Sequence, residues 1–211
     1  MSILSDDEII EAIWEERIQI EPDLADWRSP GGLRVPPSAR IQPCTIDLHL
    51  GPTMGALLPT RIDRYGPEPT GPDVTYRTYA HDEMLVLGPR EFVLCATAES
   101  ITLHDPRLVA ILCGKSTLAR DGLHVEAAGL ADPGWSGALT LEVFNAGPAT
   151  IILRPGQPIC QVYFVRMEKP AQRLYGHADL GSHYQGATQA EAGFDPAVRS
   201  ARAAPARSAS R

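Results

Sequence analysis

Hydrophobic and polar positions alternate in short bursts along most of this chain, and only its beginning is patterned as a helix. Ser5-Asp6-Asp7-Glu8 has the form of a capping box: Ser5 caps, Glu8 reaches back, and the acids suit the positive end of a helix. The apolar stripe Ile9, Ile10, Ile13, Trp14 then predicts an amphipathic helix over residues 6–17. A Pro- and Gly-rich connection follows (Pro22, Pro30-Gly31-Gly32, Pro36-Pro37). After it, apolar or alternating runs recur at residues 44–50, 84–87, 91–97, 108–113, 138–144, 150–153 and 158–167. Gly and Pro separate them, as in Gly88-Pro89, Asp132-Pro133-Gly134, Gly147-Pro148 and Pro155-Gly156. That rhythm predicts a mainly β domain, a sandwich, jelly roll or barrel. One helical turn, residues 116–121, interrupts it. Residues 52–82 are turn-rich and read either as a hairpin or as an excursion around a neighbour.

Composition narrows the class. A chain of 211 residues supports one domain with a sizeable core, expected over residues 1–195. Residues 196–211 collapse to Ala, Arg, Ser and Pro with little else, and a disordered tail is expected there. No apolar run is long enough to span a bilayer, and acids follow Met1-Ser2-Ile3-Leu4-Ser5 at once, unlike a signal peptide. The expected location is cytoplasmic, with no membrane partner. The formal charge is −7, yet the last 16 residues carry Arg199, Arg202, Arg207 and Arg211 and no acid, so the body carries −11. Such a body is a poor general binder of nucleic acid polymer. A polyanionic ligand would need a small local pocket, with a divalent cation shielding its phosphates. Cys44, Cys95, Cys113 and Cys160 show no CxxC spacing, so buried reduced thiols are expected rather than a metal site or disulfides.

Candidate chemistry concentrates between Gly114 and Asn145. Gly114-Lys115-Ser116-Thr117 ends a strand and opens a helical turn, offering backbone N–H groups, two hydroxyls and a cation to phosphate. It lacks the glycine loop of a P-loop, and Ser or Thr at a helix start is more often a plain N-cap. Arg120 faces the same way as Ser116, one turn on; a surface salt bridge is the plain alternative. In residues 138–144, alternation puts Leu139, Leu141 and Val143 on one face and Thr140, Glu142 and Phe144 on the other. A carboxylate in an apolar strand is costly unless paired or used. Facing solvent, Glu142 would be ordinary. Lining a pocket, it would have a raised pKa and suit proton transfer. Asp132 sits in Asp132-Pro133-Gly134-Trp135, which is turn chemistry first and a carboxylate at a pocket mouth second, with Trp135 as an apolar face for a sugar. His124-Val125-Glu126 matches half of the zinc deaminase signature, but the P-C-x-x-C half is missing, and Tyr163 stands where its second cysteine belongs after Cys160. No zinc is expected.

Taken together, these residues resemble the dCTP deaminase branch of the trimeric dUTPase superfamily. The resemblance covers residues 1 to about 186 and rests on ordered motifs: Leu4-Ser5-Asp6, Gln42-Pro43-Cys44-Thr45-Ile46-Asp47-Leu48, Gly114-Lys115-Ser116-Thr117-Leu118-Ala119-Arg120, Asp132-Pro133-Gly134-Trp135-Ser136-Gly137, Leu139-Thr140-Leu141-Glu142, Arg154-Pro155-Gly156 with Ile159 and Gln161, and Tyr184-Gln185-Gly186. It implies a distorted jelly-roll or β-barrel of the dUTPase-like (β-clip) type, with an N-terminal helix and one short internal helix. It also implies a homotrimer with active sites between subunits, taking dCTP or dUTP as a Mg²⁺–triphosphate, with dTTP as a candidate feedback inhibitor.

By the same resemblance Glu142 is the proton shuttle for water attacking C4 of cytosine, Ser116 and a carbonyl near Ala128 hold that water, and Arg120 orients Glu142. Lys115, Thr117, the amides of Leu118 and Ala119, and Gln161 fall at phosphate-binding positions. Asp132 contacts the sugar 3′-hydroxyl and stands where bifunctional relatives activate water at the α-phosphate. Trp135 packs near the sugar, Thr140 and Leu141 read the base edge through their backbone, and Tyr175, Tyr184 and Gln185 close the site. The implied activity is deamination of dCTP to dUTP and ammonia, alone or continuing to dUMP and diphosphate. The alternatives are a dUTP diphosphatase without deaminase activity and a non-catalytic nucleotide-binding regulatory trimer. Residues 122–132 have the shorter loop length of plain dUTPases, Gly129-Leu130 looks like the bifunctional enzymes, and His183 and Ala187 depart from the pattern around Tyr-Gln-Gly.

Overall fold

The computed structural model describes residues 2–22, 40–57, 74–126 and 130–191. Helix α1 spans Asp6–Trp14, opened by the predicted capping box: Ser5 Oγ accepts from Glu8 N–H at 3.3 Å, and Glu8 Oε2 accepts from Ser5 N–H at 3.0 Å. It stops short of residue 17 because the chain closes it off with Glu16 at φ 57°. Arg17 N–H then reaches Ala12 O at 2.8 Å and Glu16 N–H reaches Ile13 O at 3.1 Å, the paired bonds of a Schellman cap. The helix buries Ile9 and Ala12, whereas Ile10 and Trp14, placed by the pattern on its apolar stripe, are exposed, Trp14 by 86%.

Apart from a short helix at Ser116–Arg120 and a 3₁₀ turn at Ala178–Leu180, the remaining elements are antiparallel strands: β1 (Ser2–Ile3), β2 (Ile18–Glu21), β3 (Ile46–Leu57), β4 (Val74–Thr78), β5 (Leu85–Leu87), β6 (Phe92–Leu103), β7 (Leu108–Gly114), β8 (Leu123–Glu126), β9 (Leu130–Ala131), β10 (Ser136–Asn145), β11 (Ile151–Leu153) and β12 (Pro158–Arg166). The main sheet runs β8-β10-β6-β3-β12-β7-β9, with β1 on β12, β2 on β6 and β4 on β3, while β5 and β11 pair separately. β3 joins its two halves. Its first residues pair with β12 (Asp47 opposite Gln161), and its last pair with β6 (Met54 opposite Cys95). The β3–β6 register shifts between Leu50 and Met54. A Cβ on Gly51 would stand 3.0 Å from Ala96 O, so the strands approach this closely only with glycine there. The sheet therefore curls around one core that includes Ile46, Leu48, Leu50, Leu103, Leu141, Val143 and Phe164. The mainly β expectation holds.

Of the two readings of 52–82, a hairpin or an excursion around a neighbour, residues 53–57 and 74–78 pair antiparallel as hairpin arms, while residues 58–73 lie outside the described set. β6 runs to Leu103 instead of ending at residue 97. Ala98-Glu99-Ser100 breaks the apolar pattern, yet Glu99 is fully buried because Arg40 and His49 meet its carboxylate. All four cysteines are free thiols, but only Cys95 and Cys160 are buried; Cys113 is half-buried and Cys44 exposed. No helix of the described residues is long and apolar enough to cross a membrane. The expected tail, 196–211, lies outside the described residues.

Candidate active site

Strand β10 sets the site. Glu142 lies between Leu94 of β6 and Glu126 of β8. From Thr140 to Phe144 alternation is regular: Leu141 and Val143 are fully buried in the core, Thr140 and Glu142 are half-buried on the other face, and Phe144 is exposed. The predicted placement of Leu139 opposite Glu142 needs correction. A bulge between Ala138 and Thr140 shifts the register and brings Leu139 to the same cavity as Glu142. The Thr97 hydroxyl satisfies the bulge, accepting from Leu139 N–H at 2.9 Å and donating to Glu99 O at 2.6 Å.

The Asp132-Pro133-Gly134 turn forms the adjoining wall. Gly134 takes φ 90°, and Trp135 N–H closes the turn on Asp132 O at 2.9 Å. Asp132 is left exposed, while Trp135 is buried with its Nε1–H on Gly137 O at 3.1 Å. The edge of Tyr175 meets the Trp135 ring at 5.2 Å between centroids. Tyr175 N–H is held by Pro133 O at 2.8 Å, and its hydroxyl accepts from Tyr184 N–H at 3.3 Å.

Beyond Tyr184 the chain is laced onto β10. Gln185 donates to Gly134 O at 2.9 Å and accepts from Ser136 N–H at 3.3 Å. Ala138 N–H donates to Ala187 O at 2.7 Å, and Glu191 N–H to Thr140 Oγ1 at 3.2 Å. These elements enclose a cavity of about 390 Å³, in the range of small-molecule sites. Asp132, Trp135, Thr140, Glu142, Tyr175 and Tyr184 line it, with apolar walls from Leu94, Leu112, Leu130 and Leu139, and with Glu191.

The second group of predicted residues stands apart. Helix α2 (Ser116–Arg120) follows β7, with Lys115 in the N-cap position and no side chain capping it. The Ser116 and Thr117 hydroxyls are thus not spent as caps, the plain reading for such a turn. Ser116, Thr117, Ala119 and Arg120 are exposed, Leu118 packs against the core, and none of them lines the cavity. Lys115 makes the ion pair of this turn, its Nζ 2.6 Å from Asp47 Oδ1. Gln161 sits opposite both Asp47 and Cys113, next to the turn. Leu141 has its side chain in the core and is absent from the cavity lining, and Ala128 lies outside the described residues.

Sequence reasoning did not single out Glu191, Glu99 or the leucine walls. Glu191 lies in a stretch without periodicity, and Glu99 looks like a polar break in a strand. The His124 and Glu126 side chains are exposed on β8, and Cys160 is buried in the core. Burial pushes the Cys160 thiol well above its ordinary range and the Cys95 thiol up to about 12. Among the described residues no group of three or more His, Cys, Asp or Glu is disposed to hold a metal ion.

A family model described as dCTP deaminase-like matches residues 3–167. The dCTP deaminase of Natronomonas pharaonis is 38% identical over 203 residues, covering 90% of this chain and 93% of its own. A dUMP-forming dCTP deaminase of Methanosphaera stadtmanae is 34% identical over 192 residues, covering 89% of this chain and 91% of its own. Among solved structures, 2′-deoxycytidine 5′-triphosphate deaminase from Agrobacterium tumefaciens superposes with a TM-score of 0.52 at 20% identity, over 77% of this chain and 47% of that one, a likeness of fold.

Proposed function

The chain belongs to the dCTP deaminase-like family, and from that premise we propose that it hydrolyses dCTP to dUTP and ammonia and carries the product on to dUMP and diphosphate. The observation that carries this reading is that Glu142 and Asp132, two of the three carboxylates on one largely apolar cavity of nucleoside size, the third being Glu191, both line it. Of the two, Glu142 is carried by a strand interior and Asp132 by a turn. In the reading, Glu142 takes a proton from water as its oxygen bonds to C4 of cytosine. It passes that proton to N3, then takes the second from the hydroxyl now on C4 and gives it to the amino group, which leaves as ammonia as the C4–N bond breaks and the C4 carbonyl forms. Such acid–base help is worth roughly 10²–10⁴-fold in rate. Ser116 and a carbonyl near Ala128 hold the water, and Arg120 orients Glu142 and offsets charge as it develops.

Thr140 and Leu141 read the base edge, Trp135 packs on the sugar, Asp132 takes the 3′-hydroxyl, and Tyr175, Tyr184 and Gln185 close over the nucleotide. Lys115, Thr117, the Leu118 and Ala119 amides and Gln161 bind the phosphates, with Mg²⁺ arriving on the triphosphate. The exposed, uncapped α2 start with its lysine fits that anion. When bound, the ion neutralises phosphate charge; its entry needs no protein cage.

Because α2 does not line the cavity of its own chain, a second copy supplies it. The assembly is proposed as a cytoplasmic homotrimer with sites between copies, open to dTTP as a feedback ligand. Several relatives are named dUMP-forming, and Gly129-Leu130 resembles the bifunctional enzymes; both support the second step, with Asp132 activating water at the α-phosphate.

One assay tests the proposal: incubation with dCTP or dUTP and Mg²⁺, measuring ammonia, dUTP, dUMP and diphosphate. Ammonia, dUMP and diphosphate from dCTP are expected. Ammonia with dUTP alone would remove the second step. Diphosphate from dUTP with no ammonia from dCTP would make the chain a dUTP diphosphatase, and nucleotide binding without products a regulator.

A further inference from the structure

Deep in the fold lies a polar cluster that the proposed chemistry does not use. Glu99 in β6 is fully buried, Arg40 is 2% exposed and His49 5%. Glu99 Oε1 accepts from Arg40 Nη2 and lies 2.8 Å from His49 Nδ1, while Oε2 accepts from the His49 backbone N–H at 2.9 Å. Buried ionic groups are a poor source of stability, since well-packed apolar side chains do as well or better. The cluster does something else: it pins one stretch of β3 at two points. Asp47 N–H donates to Arg40 O at 2.9 Å, and Arg40 Nη2 donates to Asp47 O at 3.3 Å. Glu99 holds the amide of His49, two residues further along on the same strand face. Asp47 is caught between these anchors, and its half-buried carboxylate holds Lys115 Nζ at 2.6 Å.

We infer that Glu99 is a positioning residue for triphosphate binding: through Arg40 and the His49 amide it fixes Asp47, and Asp47 aims the Lys115 ammonium beside Gln161 at the start of α2. The inference rests on the proposed role of Lys115 as a phosphate contact. A lysine head on a flexible four-carbon stem must be ordered when it binds an anion. A carboxylate fixed from the core orders it beforehand, so less is lost on binding. The lysine's direction is thus set from a carboxylate on a different strand, through side chains that never touch the nucleotide.

Steady-state kinetics on dCTP test this with Glu99→Gln, Asp47→Asn, the double variant and Lys115→Ala. Each single change is expected to raise KM for dCTP roughly ten-fold, the scale of one charge-assisted hydrogen bond. The kcat should stay within about three-fold, because the reacting carboxylate is elsewhere. The double variant should be no worse than the weaker single, as for residues acting in series. A Glu99→Gln enzyme with lower Tm but unchanged KM makes the cluster purely structural and overturns the inference. Additive losses in the double variant overturn it as well. An unchanged KM in Lys115→Ala removes the phosphate role, and the inference with it; a raised KM there beside an unchanged one in Glu99→Gln removes the inference alone. Should Glu99→Gln fail to fold, Glu99→Asp keeps the charge, shortens the reach and is read by the same split of KM from kcat.

Discussion

At the scale of single residues, the proposed function gives two of the cavity's carboxylates different work. Glu142 is half-buried within a strand, whereas Asp132 is exposed on a turn. Replacing Glu142 by Gln keeps the shape and removes the proposed proton carrier. Ammonia release from dCTP should fall by roughly 10²-fold or more, with nucleotide binding retained by calorimetry. Loss of binding together with turnover would instead make Glu142 a structural residue. Asp132→Asn should stop diphosphate release from dUTP while ammonia release persists at raised KM. A second residue-level prediction concerns the core thiols. The folded-state value of Cys95 is raised to about 12 from an ordinary 9.0 by burial, so the folded protein keeps this proton where the unfolded chain gives it up. Its contribution to stability is present below about pH 9 and is lost as pH rises towards 12. Denaturant midpoints should therefore decline above about pH 9, less steeply in Cys95→Ala. Thiol labelling should mark exposed Cys44 first, with Cys95 and Cys160 reacting only on unfolding.

At the scale of elements, the site depends on the segment after Tyr184 lying along β10. Gly137 makes that possible. It takes φ 146°, and a Cβ there would meet Ala187 N at 2.8 Å and Ala187 O at 2.9 Å. Gly137→Ala should cost about 1–3 kcal/mol locally and lift the segment from the strand. Faster exchange of the Ala138 amide, which donates to Ala187 O, and faster proteolysis near residues 185–191 would register it. Unchanged exchange would mean that the segment is held elsewhere. This element also marks where the sequence stopped being readable. The capping box, the β10 alternation and the Asp-Pro-Gly turn are local signals, and each was legible from a few neighbouring residues. The Leu139 bulge depends on Thr97, and the length of β6 depends on Arg40 and His49 burying Glu99. Those partners are 42 to 59 residues away in sequence, beyond any periodicity. The exposure of Ile10 and Trp14 shows the opposite error, since an apolar stripe is wider than the face the core covers.

At the scale of the molecule, the predicted site residues fall into two groups that one chain does not join. Only the family resemblance groups the cavity residues with the α2 residues as one proposed site, because no local pattern relates two separated surfaces to one ligand. Their separation yields the sharpest prediction. If sites form between copies, a subunit lacking Glu142 and a subunit lacking Arg120 fail for different reasons and can repair each other. Glu142→Gln and Arg120→Ala proteins should each be nearly inactive alone. After unfolding and refolding as an equal mixture, about one site in four should receive an intact Glu142 from one copy and an intact Arg120 from the next, by random assortment in a closed ring. Ammonia release should return to about a quarter of the unaltered rate. A mixture as inactive as its components would place both groups in one chain's site, and α2 would then have to move onto the cavity of its own subunit. The native mass separates the cases further, because a particle of 22.8 kDa leaves no neighbour to complete the site.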